Sequence, residues 1–180
     1  MDLEFSIKVF KQYFNFACSH FLIFKDGTRE PLHGHNYRIA IDGKAPRLVG
    51  DMVFDFLDIK PIVREICNEL DHHLLLPKDN SLLKFEIQKD SIKILPPDGS
   101  IFIIPAQDVV FLPLANTSAE RLAIYIGNEV SKRLLARFNF SFQSLTVEVE
   151  ETPGQSAVIT LTQEDASLVG IQPGNQDAFC

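Results

Sequence analysis

The sequence predicts an α+β fold in which two helices pack on one face of an antiparallel sheet. Three observations predict it. Two β-prone segments open the chain, two stripes of apolar residues at helical spacing occupy its middle, and two alternating segments close it.

The first strand is read in Glu4 to Cys18, which is rich in Phe, Ile, Val and Tyr. Lys25-Asp26-Gly27-Thr28 is a turn signal. From His35 to Gly43 the pattern alternates, with Tyr37, Ile39 and Ile41 on one face and Arg38, Ala40 and Asp42 on the other. These segments are expected to pair antiparallel. A helix is expected from Asp58 as its cap, with Pro61 in the first turn. Ile59, Ile62, Val63, Ile66 and Leu70 form its apolar stripe, which ends near Asp71-His72-His73.

An insert at about residues 82–113 is less regular. Within it, 92–95 and 101–104 flank Pro96-Pro97-Asp98-Gly99 and read as a hairpin. Thr117-Ser118-Ala119-Glu120 is a capping-box pattern. It opens a second helix with Leu122, Ile126, Val130 and Leu134 inward. Two closing strands, Phe142 to Glu151 and Gln155 to Thr162, are joined by Thr152-Pro153-Gly154. No repeat or linker divides the chain, so residues 1–180 are read as a single domain of ββ-α-(hairpin)-α-ββ order.

Charge and composition exclude several functions. The net charge of −7 argues against a nucleic-acid partner, because phosphate backbones need a basic face. No run of about 20 apolar residues spans a membrane, and Met1 to Lys11 does not read as a signal peptide. Cys18, Cys67 and Cys180 are too sparse for a disulfide framework, so a reducing, cytoplasmic setting is expected.

The candidate chemistry lies in the histidines. His33 and His35 share a strand face, with Gly34 allowing close approach, and a reversal through Gly27 brings His20 opposite them. Three converging imidazoles make a zinc site with an open fourth position, the kind that catalysis uses. His-x-His pairs also occur as unrelated loop or core residues, and spacing alone does not separate the two.

Glu151 continues the inward alternation of Leu145, Val147 and Val149. A carboxylate on a buried face needs a partner, and a planar ligand with two adjacent N–H donors suits it. The other reading is a solvated acid at a turn. Asp71-His72 is either a proton-moving pair or a histidine favoured by the negative end of a helix.

Six pieces together resemble the 6-pyruvoyl-tetrahydropterin synthase family, which includes the 6-carboxy-tetrahydropterin synthases of queuosine biosynthesis. They are Phe16-Ala17-Cys18-Ser19-His20, Leu32-His33-Gly34-His35-Asn36-Tyr37, Met52-Val53-Phe54-Asp55-Phe56, Leu70-Asp71-His72-His73, Asn116-Thr117-Ser118-Ala119-Glu120 and Glu151-Thr152. They occur in the family's order across about residues 5 to 160.

The resemblance implies the tunnelling fold (T-fold), a ββααββ subunit that assembles into an oligomeric β-barrel. It implies a homohexamer, a dimer of trimers with active sites between subunits. By the same resemblance His20, His33 and His35 bind Zn2+, Glu151 anchors the pterin ring, Asp71 and His72 assist proton transfer, and chain near Thr117 and Ser118 contacts the pterin.

One departure stands out. The usual enzymes carry a catalytic cysteine shortly before the His-Gly-His, and the stretch from Ile23 to Leu32 has none. Glu30 stands there instead, three residues ahead of His33. This resembles the subgroup in which glutamate replaces cysteine.

That subgroup converts 7,8-dihydroneopterin triphosphate to 6-hydroxymethyl-7,8-dihydropterin for folate synthesis. The expectation is therefore a zinc-dependent lyase of a pterin triphosphate, with Glu30 as its base. The alternatives are a 6-pyruvoyl-tetrahydropterin synthase of the tetrahydrobiopterin route, a 6-carboxy-tetrahydropterin synthase, or a pterin-binding paralogue without turnover. Lys25, Arg29 and Arg47 are candidates for the triphosphate by neighbourhood.

Overall fold

Residues 3–162 are described by the computed structural model. Cys180 and the rest of the C-terminal tail lie outside them. Strand β1 (Phe5–His20) pairs antiparallel with β2 (His33–Ala45). Helix α1 (Phe56–Leu70) follows, then β3 (His73–Pro77). The insert holds β4 (Lys84–Ile87), β5 (Ser91–Leu95) and β6 (Phe102–Pro105). Strand β7 (Val109–Leu112) returns to the main sheet, and helix α2 (Ala119–Phe138) precedes β8 (Ser144–Thr152) and β9 (Gln155–Thr162).

The main sheet has the order β7-β3-β1-β2-β8-β9. It is antiparallel over β1, β2, β8 and β9, as the alternation predicts. Two short strands that the residue pattern does not reveal extend it: β3 lies parallel to β1, and β7 parallel to β3. The predicted hairpin is β5–β6, turning at Gly99 with φ +81, and β4 completes a separate three-stranded sheet.

Both helices form where the apolar stripes predict, but each cap moves by a few residues. Asp55, not Asp58, caps α1 by accepting from the Leu57 amide. Pro61 therefore falls in the second turn. The carbonyl it leaves free belongs to Leu57, which is exposed and open to water. Ser118, not Thr117, caps α2 by accepting from the Arg121 amide, so the capping box does not form at Thr117 and Glu120. Arg133 ties the helices together through Glu65 and Glu69 of α1 and Glu129 of its own helix.

Two apolar cores result. The larger lies between the helices and the inner faces of β1, β2 and β8, and includes Phe14, Phe16, Tyr37, Ile66, Ile126 and Val147. The smaller joins Phe21, Ile23, Leu74 and Leu76 to Leu83, Ile92 and Ile94 of the insert. The segment after His20 thus packs on the insert and not on the main core.

Ile66 is 1% exposed at the α1–sheet contact. Ile66→Ala should destabilise the fold by about 2–5 kcal/mol through lost burial and a residual cavity. Urea denaturation read by circular dichroism measures it, with the slope m unchanged.

Candidate functional site

His20 ends β1, His33 begins β2, and the register sets them directly opposite each other. His35 faces Cys18 two residues along, on the same side of the sheet. The ring centroids of His20 and His35 each lie 4.7 Å from that of His33, and 5.3 Å from one another. One ligand nitrogen from each ring lies within 4.8 Å of the other two, a spacing from which three imidazoles can share one divalent ion.

Gly34 makes this approach possible. A Cβ there would lie 2.9 Å from the Cys18 carbonyl oxygen, closer than such atoms come.

Backbone carbonyls fix two tautomers. His20 Nδ1 donates to the Thr117 carbonyl at 3.0 Å, and His33 Nδ1 donates to the Pro31 carbonyl at 2.8 Å. A carbonyl only accepts, so both Nδ1 atoms carry hydrogen and the Nε2 lone pairs are left for a ligand. Burial lowers the pKa of His20, the neighbouring His33 lowers it further, and the Thr117 carbonyl opposes them. The neutral ring is the form that binds metal.

Two carboxylates flank the trio. Glu151 Oε1 lies 3.2 Å from His35 Nε2 and accepts a 3.0 Å bond from the Tyr37 hydroxyl. The inward alternation of β8 predicts that position, although the strand shifts register between Glu150 and Thr152. About a third of Glu151 (30%) stays exposed, open to a ligand. Glu30 Oε2 lies 3.9 Å from His33 Nδ1 and is buried without a hydrogen-bond partner. An orphaned carboxylate oxygen beside His33 of this trio is the donor chemistry that a cation, or a hydroxyl bound next to one, would satisfy.

Sequence reasoning missed two residues here. Tyr37 is fully buried, and its hydroxyl also stands 3.3 Å from His20 Nε2. Burial and Glu151 push its pKa up, so it remains a donor. The available signal was a tyrosine on a core face, which needs a partner for its hydroxyl. Asn116 bonds both the amide and the carbonyl of Ile23, pinning the start of the loop that carries Glu30.

Other candidates fall around the trio. Thr117 is fully buried, with its hydroxyl on the Phe21 carbonyl, and Ser118 next to it caps α2. Asp71 and His72 are not joined to the histidines by any hydrogen bond or ion pair among the described residues. Asp71 accepts from the Ala17 amide and pairs with His72 Nδ1 at 2.9 Å. His72, at φ +61 and largely exposed, lines a depression of about 450 Å³ that Gly34, His35 and Asn36 also line.

Cys18 belongs to the main core, and burial, Asp71 and Glu151 push its thiol up to about 12. Arg29 is engaged by Asp98, while Arg47 lines a different pocket with Val53, Phe54 and Phe140.

Two outcomes are expected. Gly34→Ala should cost about 1–3 kcal/mol by forcing β1 from β2. It should also weaken metal binding, as titration calorimetry with Zn2+ would read. For metal-free protein, the folded state resists protonating His20 while the unfolded chain does not. Stability should therefore fall as pH drops below about 6.5, where unfolded histidine takes up its proton. His20→Gln should flatten that slope in melts between about pH 7.5 and 5.5.

Comparison with known proteins places the chain in a family. The family model described as 6-pyruvoyl tetrahydropterin synthase matches residues 8–162. A putative 6-carboxy-5,6,7,8-tetrahydropterin synthase of Methanocaldococcus jannaschii is 37% identical over 147 residues, covering 79% of this chain and 86% of its own. The 6-pyruvoyltetrahydropterin synthase of Plasmodium vivax, solved as a mutant with alanine for a catalytic glutamate, superposes with a TM-score of 0.80 at 32% identity. It covers 89% of this chain and 99% of its own. The Plasmodium falciparum 6-pyruvoyl tetrahydropterin synthase gives a TM-score of 0.80 at 33% identity, over 88% of this chain and 98% of its own. With the histidine trio at the end of a β1–β2 pair and this match across nearly all its described residues, the chain belongs to the 6-pyruvoyl tetrahydropterin synthase family.

Proposed function

We propose that this protein is a zinc-dependent lyase that converts 7,8-dihydroneopterin triphosphate to 6-hydroxymethyl-7,8-dihydropterin for folate synthesis. The observation that carries the reading is Glu30, whose buried, unpartnered Oε2 stands beside the histidine trio. A catalytic glutamate in the Plasmodium vivax relative supports the same role.

His20, His33 and His35 would hold the ion, two of them through Nε2. When bound, Zn2+ supplies Lewis acidity to the hydroxyls of the substrate's side chain. Glu151 accepts from the pterin's adjacent N–H donors, held in place by Tyr37. Chain near Thr117 and Ser118 would contact the pterin, and the Thr117 carbonyl backs His20.

Glu30 removes the proton from the C2′ hydroxyl. The C1′–C2′ bond then breaks in the retro-aldol sense: C2′ becomes a carbonyl carbon, and the bonding pair passes into the ring imine. A proton returned to C1′ completes the product. Asp71-His72 is suited to return it. The likeness to the Plasmodium vivax enzyme supports a homohexamer of stacked trimers with active sites between subunits. Buried, unpaired Cys18 and Cys67 support a cytoplasmic setting.

The second reading is a 6-carboxy-tetrahydropterin synthase, favoured by the name of the Methanocaldococcus jannaschii relative. It lacks a nucleophile here: residues 23–32 contain no cysteine, and Cys18 is packed in the core.

Incubating the protein with dihydroneopterin triphosphate and identifying the pterin by mass spectrometry separates the readings. 6-Hydroxymethyl-dihydropterin is expected, and a 6-pyruvoyl or 6-carboxy product would reject the proposal. Glu30→Gln should lower kcat by at least about 100-fold, as loss of a general base does. Removing metal with a chelator should abolish turnover, and adding Zn2+ should restore it.

A further inference from the structure

The loop carrying Glu30 is tied at its start to Asn116 and Thr117, and its apolar residues pack in the smaller core, not the larger one. Its first residues, Phe21 and Ile23, pack among Leu83, Ile92 and Ile94 of the insert. Its tip turns back at Gly27, where a Cβ would meet Pro97 of the β5–β6 turn at 3.9 Å. Ile23 and Arg29 bridge antiparallel across the loop. The Glu30 amide donates to the Leu22 carbonyl at 2.9 Å.

Arg29 completes the attachment. Its Nε donates to Asp98 Oδ2 at the hairpin turn, 3.0 Å away and 69 residues on in the chain. Its NH1 donates to the carbonyl of Glu30 itself at 2.7 Å. The guanidinium lies 5.0 Å from the Phe102 ring centroid and 5.6 Å from that of Phe21, and those rings stack on each other. Asp98 is preset for its part, since the Ser100 amide and hydroxyl hold its other oxygen. One planar cation therefore joins both rings, the hairpin turn and the backbone of the residue that faces His33.

We propose that the β4–β6 insert is the positioning element for Glu30 and that Arg29–Asp98 is its latch. This rests on Glu30 being the base. Arg29 is accordingly a positioning residue and not a phosphate ligand. A planar guanidinium is needed, because a lysine cannot bond Asp98 and the Glu30 carbonyl while stacking on the rings.

The test uses Asp98→Ala, Asp98→Asn and Arg29→Lys in the full chain, following consumption of dihydroneopterin triphosphate whatever the product. Asp98→Ala and Arg29→Lys should lower kcat by about 10- to 100-fold, the scale of a misplaced catalytic group. KM should change less than about threefold, since the interaction lost is one made in the transition state. Zinc stoichiometry should hold. Asp98→Asn keeps one acceptor oxygen, which can serve Arg29 or Ser100 but not both, and should recover only part of the rate.

Hydrogen exchange at residues 21–31 should quicken in Asp98→Ala. In a Glu30→Gln background, Asp98→Ala should remove nothing further from residual turnover. A raised KM with unchanged kcat would overturn the latch and make Arg29 a substrate ligand. Faster exchange with wild-type kcat would overturn it too while leaving Glu30's role intact. A fully active Glu30→Gln enzyme would instead remove the base itself, a result distinct from either.

Discussion

The site depends on a change of register in β1. From Phe5 to Phe10 the strand pairs with Ala45 to Ala40, and from Asn15 to His20 it pairs with Arg38 to His33. Between Phe10 and Asn15, β1 spends three residues more than β2 does. Side chains alternate with a period of two, so an odd excess reverses which parity faces the core. Val9 points inward before the irregularity, and Phe14, Phe16, Cys18 and His20 do so after it. On β2 the inward set is Tyr37, Ile39 and Ile41, with His33 and His35 in phase. Only the reversal puts His20 on the histidines' side of the sheet.

Electrostatics build on that placement. Burial and the neighbouring His33 hold the His20 pKa down, and a ring without its extra proton is a ligand for a cation. Two carboxylates arrive on different elements, Glu151 on β8 and Glu30 on the loop. Tyr37 is the hub, because its protonated hydroxyl serves Glu151 and stands next to His20. A divalent ion there would be balanced by the two acids, while the imidazoles contribute no net charge.

Much of this was legible in the sequence, and the rest was hidden for identifiable physical reasons. The helical stripes were visible because apolar residues recurring every 3.6 positions line one side of a helix and no regular strand. His33, His35 and the inward Glu151 followed from a period of two. The irregularity in β1 was not visible, since Lys11-Gln12-Tyr13-Phe14 contains no glycine or proline to mark it. Strands β3 and β7 escaped because Leu74-Leu75-Leu76 and Val109-Val110-Phe111 are short apolar runs without alternation, the signature of buried parallel strands. The caps moved because Asp55 and Asp58, like Thr117 and Ser118, are equally good capping residues, and tertiary contacts choose between them. Thr117 is withdrawn by its bond to the Phe21 carbonyl.

The separation into a large and a small apolar core has a thermal consequence. Regions with their own packing can lose order as separate cooperative units, each with its own opening free energy. The insert's core has the fewer members, and much of its sheet faces solvent at Ile87, Ile101 and Ile103. Among the described residues it is the part that should loosen first on warming. The histidine end of β1 and β2 belongs to the other unit and would survive that event. Such a protein would show two temperatures, one at which the loop carrying Glu30 loosens and a higher one at which the histidine trio comes apart.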